Sequence, residues 1–302
     1  MFDSIESVEK SLLDEKYIPE RSLATVIYLA ARLKKPLFLE GEPGVGKTEV
    51  AAVLARALKT DLIRLQCYEG LDANHALYEW NYPRQLLEIK LGEQCGTDPR
   101  QVSKTIFAEE FLIKRPLLEA ILSPREQGPV LLIDEIDRSD EEFEALLLEV
   151  LSDFQISIPE IGTLKARRRP VVILTSNRTR DIHDALKRRC LYHWIDYPDE
   201  EKECRIIMAR VPGIALELAG QVAAFMKRIR EEDLVKRPGL AETLDWAAAL
   251  LALDRSALDE ETVAETLGCI LKYREDLVSF KELWDRPEFR EPLLTQIRRS
   301  MC

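Results

Sequence analysis

Residues 41–48, GEPGVGKT, form a glycine-rich segment that directly follows the short apolar run LFLE. The spacing is that of a phosphate-binding loop, in which glycines let successive backbone N–H groups turn inward around phosphate oxygens. A helix that follows such a loop adds its N-terminal dipole. Lys47 can then carry a positive charge to the β- and γ-phosphates, and the Thr48 hydroxyl can ligate Mg²⁺. The pattern predicts a nucleoside triphosphate site whose binding residues are Gly41, Glu42, Pro43, Gly44, Val45, Gly46, Lys47 and Thr48.

The run VLLIDEID, residues 130–137, indicates a buried strand that ends in carboxylates. Its continuous apolar part is typical of a central parallel strand that is covered on both faces. Asp134 would emerge near the phosphate-binding loop and hold Mg²⁺ through water. Glu135 could accept a proton from an attacking water, which favours hydrolysis over transfer to a bound acceptor. The alternative is a strand end that opens a solvated acidic loop, which would also contain Asp137, Asp140, Glu141 and Glu142.

A second apolar run of the same design, PVVILTSN, ends at Asn177. In a parallel sheet this asparagine would emerge beside Glu135, where its amide could orient the same water. An asparagine at a strand end is also a common turn former. The prediction that Asn177 is catalytic therefore depends on the two motifs that precede it.

The first two-thirds of the chain alternate between helix-like and strand-like runs. Apolar residues at helical spacing occupy residues 20–34, Pro36 ends that helix, and LFLE and DLIRLQ are strand candidates. This alternation predicts an α/β fold with a doubly wound parallel sheet, which binds ligands at the carboxyl ends of its strands. After Pro198 the period is almost wholly helical. We therefore expect a large αβ nucleotide-binding domain over residues 1–197 and a helical lid domain over residues 198–302.

Composition limits the classes of function. The formal net charge of −11 argues against a general nucleic-acid binder, because counterion release requires a basic face. The acidic N-terminus predicts no secretory signal, and no apolar run is long enough to span a bilayer, so a cytoplasmic location is expected. The histidines and cysteines show no metal-ligand spacing, which leaves Mg²⁺ as the expected metal. ATP is favoured over GTP because no NKxD-like guanine-reading motif is present.

In this order the glycine-rich loop, the VLLIDE strand and Asn177 resemble the AAA+ ATPases, the ring-forming motors of the P-loop class. In that family one or two arginines before the last strand of the large domain reach the γ-phosphate of the neighbouring subunit. Arg189, with Arg188 beside it in DALKRRCLYHWID, matches this position. Such a guanidinium would stabilise charge on the transferred phosphoryl group. The alternative is a basic pair that caps the helix DIHDALK, because cations suit a helix C-terminus.

Segments between these motifs resemble the MoxR branch of the AAA+ family. Residues at about 67–106 resemble its helical insert, and ISIPEIGTLKA, within about 154–169, resembles its hairpin. Residues 131–160 and 173–198 are most similar to the CoxD-type accessory ATPases of carbon monoxide dehydrogenase maturation. The resemblance implies a homo-oligomeric ring, a hexamer by analogy, that remodels a protein client. It also implies a molybdenum hydroxylase as client and a von Willebrand factor A-domain protein as partner.

The sequence departs from the family pattern in the lid. AAA+ lids usually carry a sensor 2 arginine at the start of a helix, and in KRPGLAETLDWAAAL that position is occupied by Ala241. Arg237 or Lys236 could substitute from just before the helix. Alternatively, the function is absent or is supplied by another subunit.

Two further features have more than one interpretation. The basic run KARRR, residues 165–169, is a solvated hairpin arm or a contact for an acidic subunit or client. Nucleic-acid contact is disfavoured there because no aromatic residues are interleaved for base stacking. The aromatic residues of the insert either grip a client polypeptide or form a small satellite core; they are Tyr68, Tyr78, Trp80 and Tyr82.

Two rival functions share the same core motifs. A nucleic-acid-stimulated motor or loader predicts hydrolysis that DNA or RNA accelerates, and the acidic composition weighs against it. A nucleotide-gated scaffold would bind ATP and barely hydrolyse it. The combination of Glu135, Asn177 and Arg189 weighs against the scaffold, whereas the missing sensor 2 arginine is compatible with it.

Overall fold

The computed structural model describes residues 2–95 and 98–299. The strands are β1 (Leu37–Gly41), β2 (Leu62–Gln66), β3 (Tyr78–Trp80), β4 (Leu112–Lys114), β5 (Val130–Asp134), β6 (Gln155–Ile158), β7 (Gly162–Lys165), β8 (Val171–Ser176) and β9 (Leu191–Ile195). The first nine helices are α1 (Ile5–Asp14), α2 (Arg21–Leu33), α3 (Lys47–Ala57), α4 (Ala73–Ala76), α5 (Tyr82–Cys95), α6 (Pro99–Ile106), α7 (Pro116–Ile121), α8 (Glu141–Asp153) and α9 (Asp184–Lys187). The remaining helices are α10 (Glu200–Arg210), α11 (Leu216–Ile229), α12 (Leu240–Ala252), α13 (Glu260–Thr266), α14 (Arg274–Trp284) and α15 (Pro287–Arg299).

The central sheet has the strand order β2-β5-β8-β1-β9. β5 runs parallel to β2 and β8, and β1 runs parallel to β8, with Gln66 opposite Asp134 and Leu37 opposite Ile173. Every residue of β1 and β5 is buried, as their uninterrupted apolar runs require. The predicted α/β fold with a parallel sheet and a C-terminal helical region is confirmed.

The chain divides into two compact units. The sheet unit comprises Met1–Val8, Arg21–Glu40 and Thr48–Trp194, and the helical unit comprises Glu9–Glu20, Gly41–Lys47 and Ile195–Cys302. Residues Gly41–Lys47 of the glycine-rich loop thus belong to the helical unit, whereas the residues directly before and after them in the chain belong to the sheet unit. Two compact units do not show two independently folding domains, so the boundary expected near Tyr197 stays a prediction.

Two small antiparallel sheets accompany the central one. β3 lies inside the segment that resembles an insert and pairs with β4, which follows that segment in the chain. β6 pairs with β7 to form a hairpin. Trp80 contacts Phe107 edge-on at 5.3 Å between ring centroids and, with Tyr78, packs against the core of the sheet unit. Tyr68 and Tyr82 are exposed. The insert aromatics therefore divide between a satellite core and the surface.

Aromatic rings form the core of the helical unit. The Phe225 ring lies 5.0 Å from Trp246, 5.9 Å from Phe280 and 6.1 Å from Trp284, measured between centroids. The Trp246 indole N–H donates to the Thr266 hydroxyl at 2.8 Å, so its polar group is satisfied although the ring is buried. None of the described helices combines the length and apolar character that a membrane crossing requires.

A buried ion pair connects three helices of this unit. The Arg230 guanidinium donates to both Glu203 oxygens at 2.6 and 2.7 Å, and the Thr243 hydroxyl donates to Glu203 Oε1 at 2.7 Å. Arg230 Nε also donates to the Pro238 carbonyl at 2.8 Å. Because every partner is buried, removal of one charge would leave the other uncompensated in a medium of low polarity.

We expect Glu203→Gln to lower the free energy of unfolding by about 3 kcal/mol, because the Arg230 charge stays buried without its counter-ion. Urea unfolding followed by circular dichroism measures this loss. Glu201→Gln is the matched control, because Glu201 lies on the same helix and is exposed; its effect should stay within about 0.5 kcal/mol. Equal effects of the two variants would show that the pair contributes nothing to stability.

Candidate active site

Asp134 ends β5 and is almost completely buried, with 2% of its surface exposed. Its Oδ1 accepts hydrogen bonds from the hydroxyls of Thr48 at 3.0 Å and Thr175 at 2.6 Å. Its Oδ2 accepts from the Arg64 guanidinium at 2.5 Å. These contacts hold the carboxylate in one orientation, next to the hydroxyl that the sequence predicts as its fellow Mg²⁺ ligand.

Glu135 follows in a left-handed backbone conformation, with φ of 55°. Its N–H donates to the Thr175 hydroxyl at 2.9 Å, and Asn177 Nδ2 donates to its Oε1 at 3.3 Å. Gln66 Nε2 donates to Oε2 at 3.0 Å, and Arg138 Nε lies 3.2 Å from that same oxygen. Non-glycine residues seldom adopt positive φ, and such strain tends to cluster at functional sites.

Asp137 is buried and does not belong to a solvated acidic surface. Its carboxylate accepts from the backbone N–H groups of Asn177 at 3.2 Å and Thr179 at 2.9 Å, and from the Thr179 hydroxyl at 2.7 Å. It therefore holds the backbone after β8, which sets the position from which the Asn177 side chain reaches Glu135. Asp140 instead caps α8 by accepting from the Phe143 N–H at 2.8 Å.

Cys67 follows β2 in the same region. Burial, and after it the charge of the Asp134 carboxylate, raises the pKa of its thiol to about 12. The thiol is therefore protonated at neutral pH and supplies no thiolate nucleophile. The groups at this edge of the sheet that can bind a metal ion or accept a proton are therefore its carboxylates and hydroxyls.

The glycine-rich loop has the backbone that a phosphate-binding loop needs. Gly44 and Gly46 adopt φ of +80° and +93°, values that side chains disfavour. A Cβ at Gly41 would lie 2.1 Å from the Ile195 carbonyl oxygen, so this position has no room for a side chain. Lys47 is buried, and its Nζ donates to the carbonyls of Gly41 and Glu42, both at 2.8 Å.

The loop also touches the start of α12 within the helical unit. The Leu240 N–H donates to the Gly44 carbonyl at 2.9 Å, and a Cβ on Gly239 would lie 2.9 Å from the Gly44 Cα. Glu242 Oε2 accepts from the Gly239 N–H at 3.0 Å and completes a capping box at this helix. Gly44 and Gly239 thus meet backbone to backbone.

The residues of the glycine-rich loop are suited to bind a nucleoside triphosphate. In the part of the chain that the structure describes, the N–H groups of Gly44, Val45 and Gly46 donate to no protein acceptor, which leaves them available for phosphate oxygens. The loop precedes the N-terminus of α3, whose dipole favours anions. The described residues contain no group of three or more His, Cys, Asp or Glu side chains that could hold a metal ion.

Arg188 and Arg189 are exposed and make no hydrogen bond or ion pair with Asp134, Glu135 or Asn177 in the described part of the chain. The Arg189 guanidinium donates to the Leu148 carbonyl on α8. The Arg188 N–H, just after the end of α9, donates to the carbonyl of Asp184, the first residue of that helix. Within one subunit, therefore, this pair is not part of the carboxylate cluster.

The residues weighed for the sensor 2 role are also exposed. Ala241 lies in the first turn of α12, and Arg237 precedes that helix. Burial raises the pKa of the Tyr197 hydroxyl; Glu42 raises it too, whereas the charges of Arg230 and Arg237 lower it. The Arg237 charge is thus close enough to act on Tyr197, and its role as a substitute sensor 2 stays a prediction.

Sequence reasoning missed Arg64, Gln66, Thr175 and Asp137 as members of the site. A signal for the first two was present in LIRLQ, where polar and apolar residues alternate; in β2 the polar positions are exposed and the apolar ones buried. The register that places Gln66 opposite Asp134 then brings both polar side chains to the carboxylates. Which strand pairs with β5 could not be derived from that pattern.

Sequence comparisons show what the chain is similar to. Gas vesicle ATPase GvpN of Haloferax mediterranei is 24% identical over 243 residues, which are 73% of this chain and 67% of GvpN. Lon protease of Campylobacter jejuni is 31% identical over 152 residues, which are 49% of this chain and 15% of that protein. The second similarity covers only a small part of its relative.

Among solved structures, a variant of Thermotoga maritima RuvB matches with a TM-score of 0.50 and 20% sequence identity, covering 91% of this chain and 73% of that chain. This likeness shows the P-loop AAA+ fold. A family model described as AAA domain (dynein-related subfamily) matches residues 36–190, slightly more than half of the chain. The match includes the glycine-rich loop, the carboxylate cluster, Asn177 and the arginine pair. The chain therefore belongs to the dynein-related subfamily of AAA domains.

Proposed function

We propose that this protein hydrolyses ATP and that Glu135 is the general base. The observation that carries the proposal is the Glu135 carboxylate, held at 3.3 Å from the Asn177 amide and one residue after the Asp134 that Thr48 contacts. A carboxylate in this position can take the proton of an attacking water, and the amide can orient that water. Family membership supports ATPase activity in general.

The other side chains act on the phosphates. Lys47 and the N–H groups of Gly44–Gly46 would bind the β- and γ-phosphates, and Thr48 and Asp134 would hold Mg²⁺. The metal supplies charge neutralisation at the phosphate oxygens when it is bound. The Lys47 amine donates to the carbonyls of Gly41 and Glu42, and on nucleotide binding it would donate to phosphate oxygens in their place.

AAA+ proteins typically act as oligomeric rings, and we propose that this one does as well, as a hexamer. Two observations support a ring: Arg188 and Arg189 are exposed, and neither is bonded to the carboxylate cluster of its own subunit. In a ring Arg189, with Arg188 beside it, would complete the site of the neighbouring subunit. ATP turnover would then drive remodelling of a protein client.

For the client we propose an incompletely assembled molybdenum hydroxylase, with a von Willebrand factor A-domain protein as partner. This proposal is supported by the sequence resemblance to CoxD-type ATPases of the MoxR branch. The similarity to GvpN, a gas vesicle ATPase, is compatible with a chaperone-like motor of a different client. The rival nucleic-acid motor is disfavoured by the net charge of −11.

ATP hydrolysis per subunit, measured as a function of protein concentration, tests the assembled ATPase. We expect the specific rate to rise with concentration and to level off where light scattering shows that the ring has formed. Addition of single-stranded or duplex DNA should leave the rate unchanged. A rate that is the same for monomer and oligomer would refute the ring, tight ATP binding without turnover would favour the scaffold, and strong DNA stimulation would favour the nucleic-acid motor.

A further inference from the structure

A cavity of about 720 Å³ lies in the sheet unit at the amino ends of the central strands. Its wall includes Pro36 before β1, Gly128 before β5 and Pro170 before β8. Asp134 lies at the other end of β5, roughly 15 Å away along a strand of five residues. The cavity is therefore separate from the candidate active site.

The topology places two basic segments beside this cavity. Lys34 and Lys35 connect α2 to β1, and Arg167–Arg169 connect β7 to β8. Because β1 and β8 are neighbours in the sheet, both segments arrive at the same edge. A Cβ on Gly128 would lie 2.4 Å from the Arg169 carbonyl oxygen, so close backbone approach holds the arginine segment against the start of β5.

All five cations are exposed, and none forms an ion pair with a carboxylate within residues 2–95 and 98–299. The cavity wall contains one carboxylate, that of Glu126. The two lysines follow the C-terminus of α2, where cations are favourable in any case. The three arginines follow a strand, so no helix C-terminus stabilises their charges. Adjacent guanidinium groups also repel one another. On a chain of net charge −11 this concentration of unpaired positive charge indicates an acidic ligand.

The floor of the cavity is apolar. It is formed by side chains that include Phe2, Ile27, Leu54 and Phe154. The Arg169 guanidinium lies 5.2 Å from the centroid of the Phe154 ring, which places a charge directly above that floor. A ligand that uses both features must combine carboxylates with apolar side chains.

The same wall favours a polypeptide over other anions. Small-molecule sites position their ligands with a few buried polar groups, and no side chain on this wall is both buried and polar among the residues described. Single-stranded nucleic acid is held by exposed aromatic rings, whereas Phe2 and Phe154 are both buried. We propose that this cavity, the basic cavity, is a docking site for an acidic segment of a protein partner that also carries large apolar side chains.

Fluorescence anisotropy with a labelled peptide, EELLEELLEE, tests the docking site on the full chain. We expect saturable binding that weakens about tenfold between low and high salt, because the rim charges are exposed to solvent. The peptides SSLLSSLLSS and EEAAEEAAEE, which lack the charge or the large apolar groups, should bind at least tenfold more weakly. No binding of the first peptide, or equal binding of the acidic peptide without leucine, would refute the proposal.

Two variants assign the binding to the cavity. The triple variant Arg167→Glu, Arg168→Glu, Arg169→Glu should raise Kd at least tenfold, and Ala31→Trp, which fills the cavity without a change of charge, should also raise it. The control is the triple variant Lys10→Glu, Lys90→Glu, Arg205→Glu, which reverses three exposed cations that do not line the cavity. Thermal melting verifies that each variant folds.

Equal weakening in the control variant would mean that overall charge, and not this cavity, attracts the peptide. A labelled single-stranded DNA tested in parallel should bind poorly. If the protein instead binds DNA strongly and the peptide weakly, and the Arg167–Arg169 variant abolishes the DNA binding, the ligand is a nucleic acid. That result would overturn the inference. ATP hydrolysis by the folded variants is measured alongside, so that loss of docking is distinguished from loss of the motor.

Discussion

Replacing Glu135 with glutamine is expected to lower kcat for ATP hydrolysis by about 10²–10⁴-fold and to leave ATP affinity nearly unchanged. The single amide oxygen of glutamine can still accept from one of the two donors, Gln66 Nε2 or Asn177 Nδ2, and the residue change does not require a different backbone. An amide cannot accept the proton of water. The site should therefore stay assembled and lose only its chemical step. Single-turnover hydrolysis and binding of a labelled ATP analogue measure the two quantities separately.

The matched control is Glu142→Gln, because Glu142 lies nearby in the chain and is exposed. It should hydrolyse ATP at the wild-type rate. If Glu135→Gln loses ATP binding as well, the carboxylate has a structural role. If its hydrolysis rate equals that of the wild type, Glu135 is not the base, and the proposed mechanism fails.

Arg189→Ala is expected to lower the hydrolysis rate of the assembled protein by about 10³-fold or more, since an arginine that reaches the γ-phosphate stabilises the charge of the transition state. ATP binding to isolated subunits should not change. Arg188→Ala decides which of the two arginines acts, and Lys187→Ala serves as the control from the same turn of α9. Loss of the bond from Arg189 to the Leu148 carbonyl should cost little stability, because the arginine is exposed.

Mixing two inactive variants tests whether Arg189 acts between subunits. A subunit with Glu135→Gln keeps Arg189, and a subunit with Arg189→Ala keeps Glu135. In an equal mixture about a quarter of the interfaces would combine both intact residues, so hydrolysis should recover to that extent. If the mixture stays inactive although mixed rings form, or if Arg189→Ala alone remains fully active, the arginines do not complete a neighbour's site and the helix-cap interpretation gains support.

The chemistry of the nucleotide site was predictable from local patterns. The glycine-rich loop requires positive φ at Gly44 and Gly46, and only glycine adopts such values without strain. The residue types alone therefore predict this backbone conformation. Four or more apolar residues that end in a carboxylate indicate a buried strand with its functional group at the rim, and β5 has this structure. Asn177 followed from the same logic at the end of β8.

The partners of these residues depend on tertiary structure. Arg64 contacts Asp134 although 70 positions separate them in the chain, and Thr175 contacts Asp134 across 41. Such pairs arise from strand order and register, which a single sequence does not reveal when several apolar strands could pair in more than one order. Asp137 was placed among solvated acids for the same reason, because its burial depends on the loop that follows β8.

The sequence by itself determined the class of the protein and its phosphate-binding chemistry, because backbone conformation and strand burial depend on residue type and local spacing. Only the tertiary structure decided that Gln66 and Asn177 flank Glu135 and that Gly44 meets Gly239. It also decided that two basic segments, distant in sequence, line one cavity. The physical reason is that these contacts form between elements whose separation in space is set by sheet topology and core packing, and not by their separation along the chain.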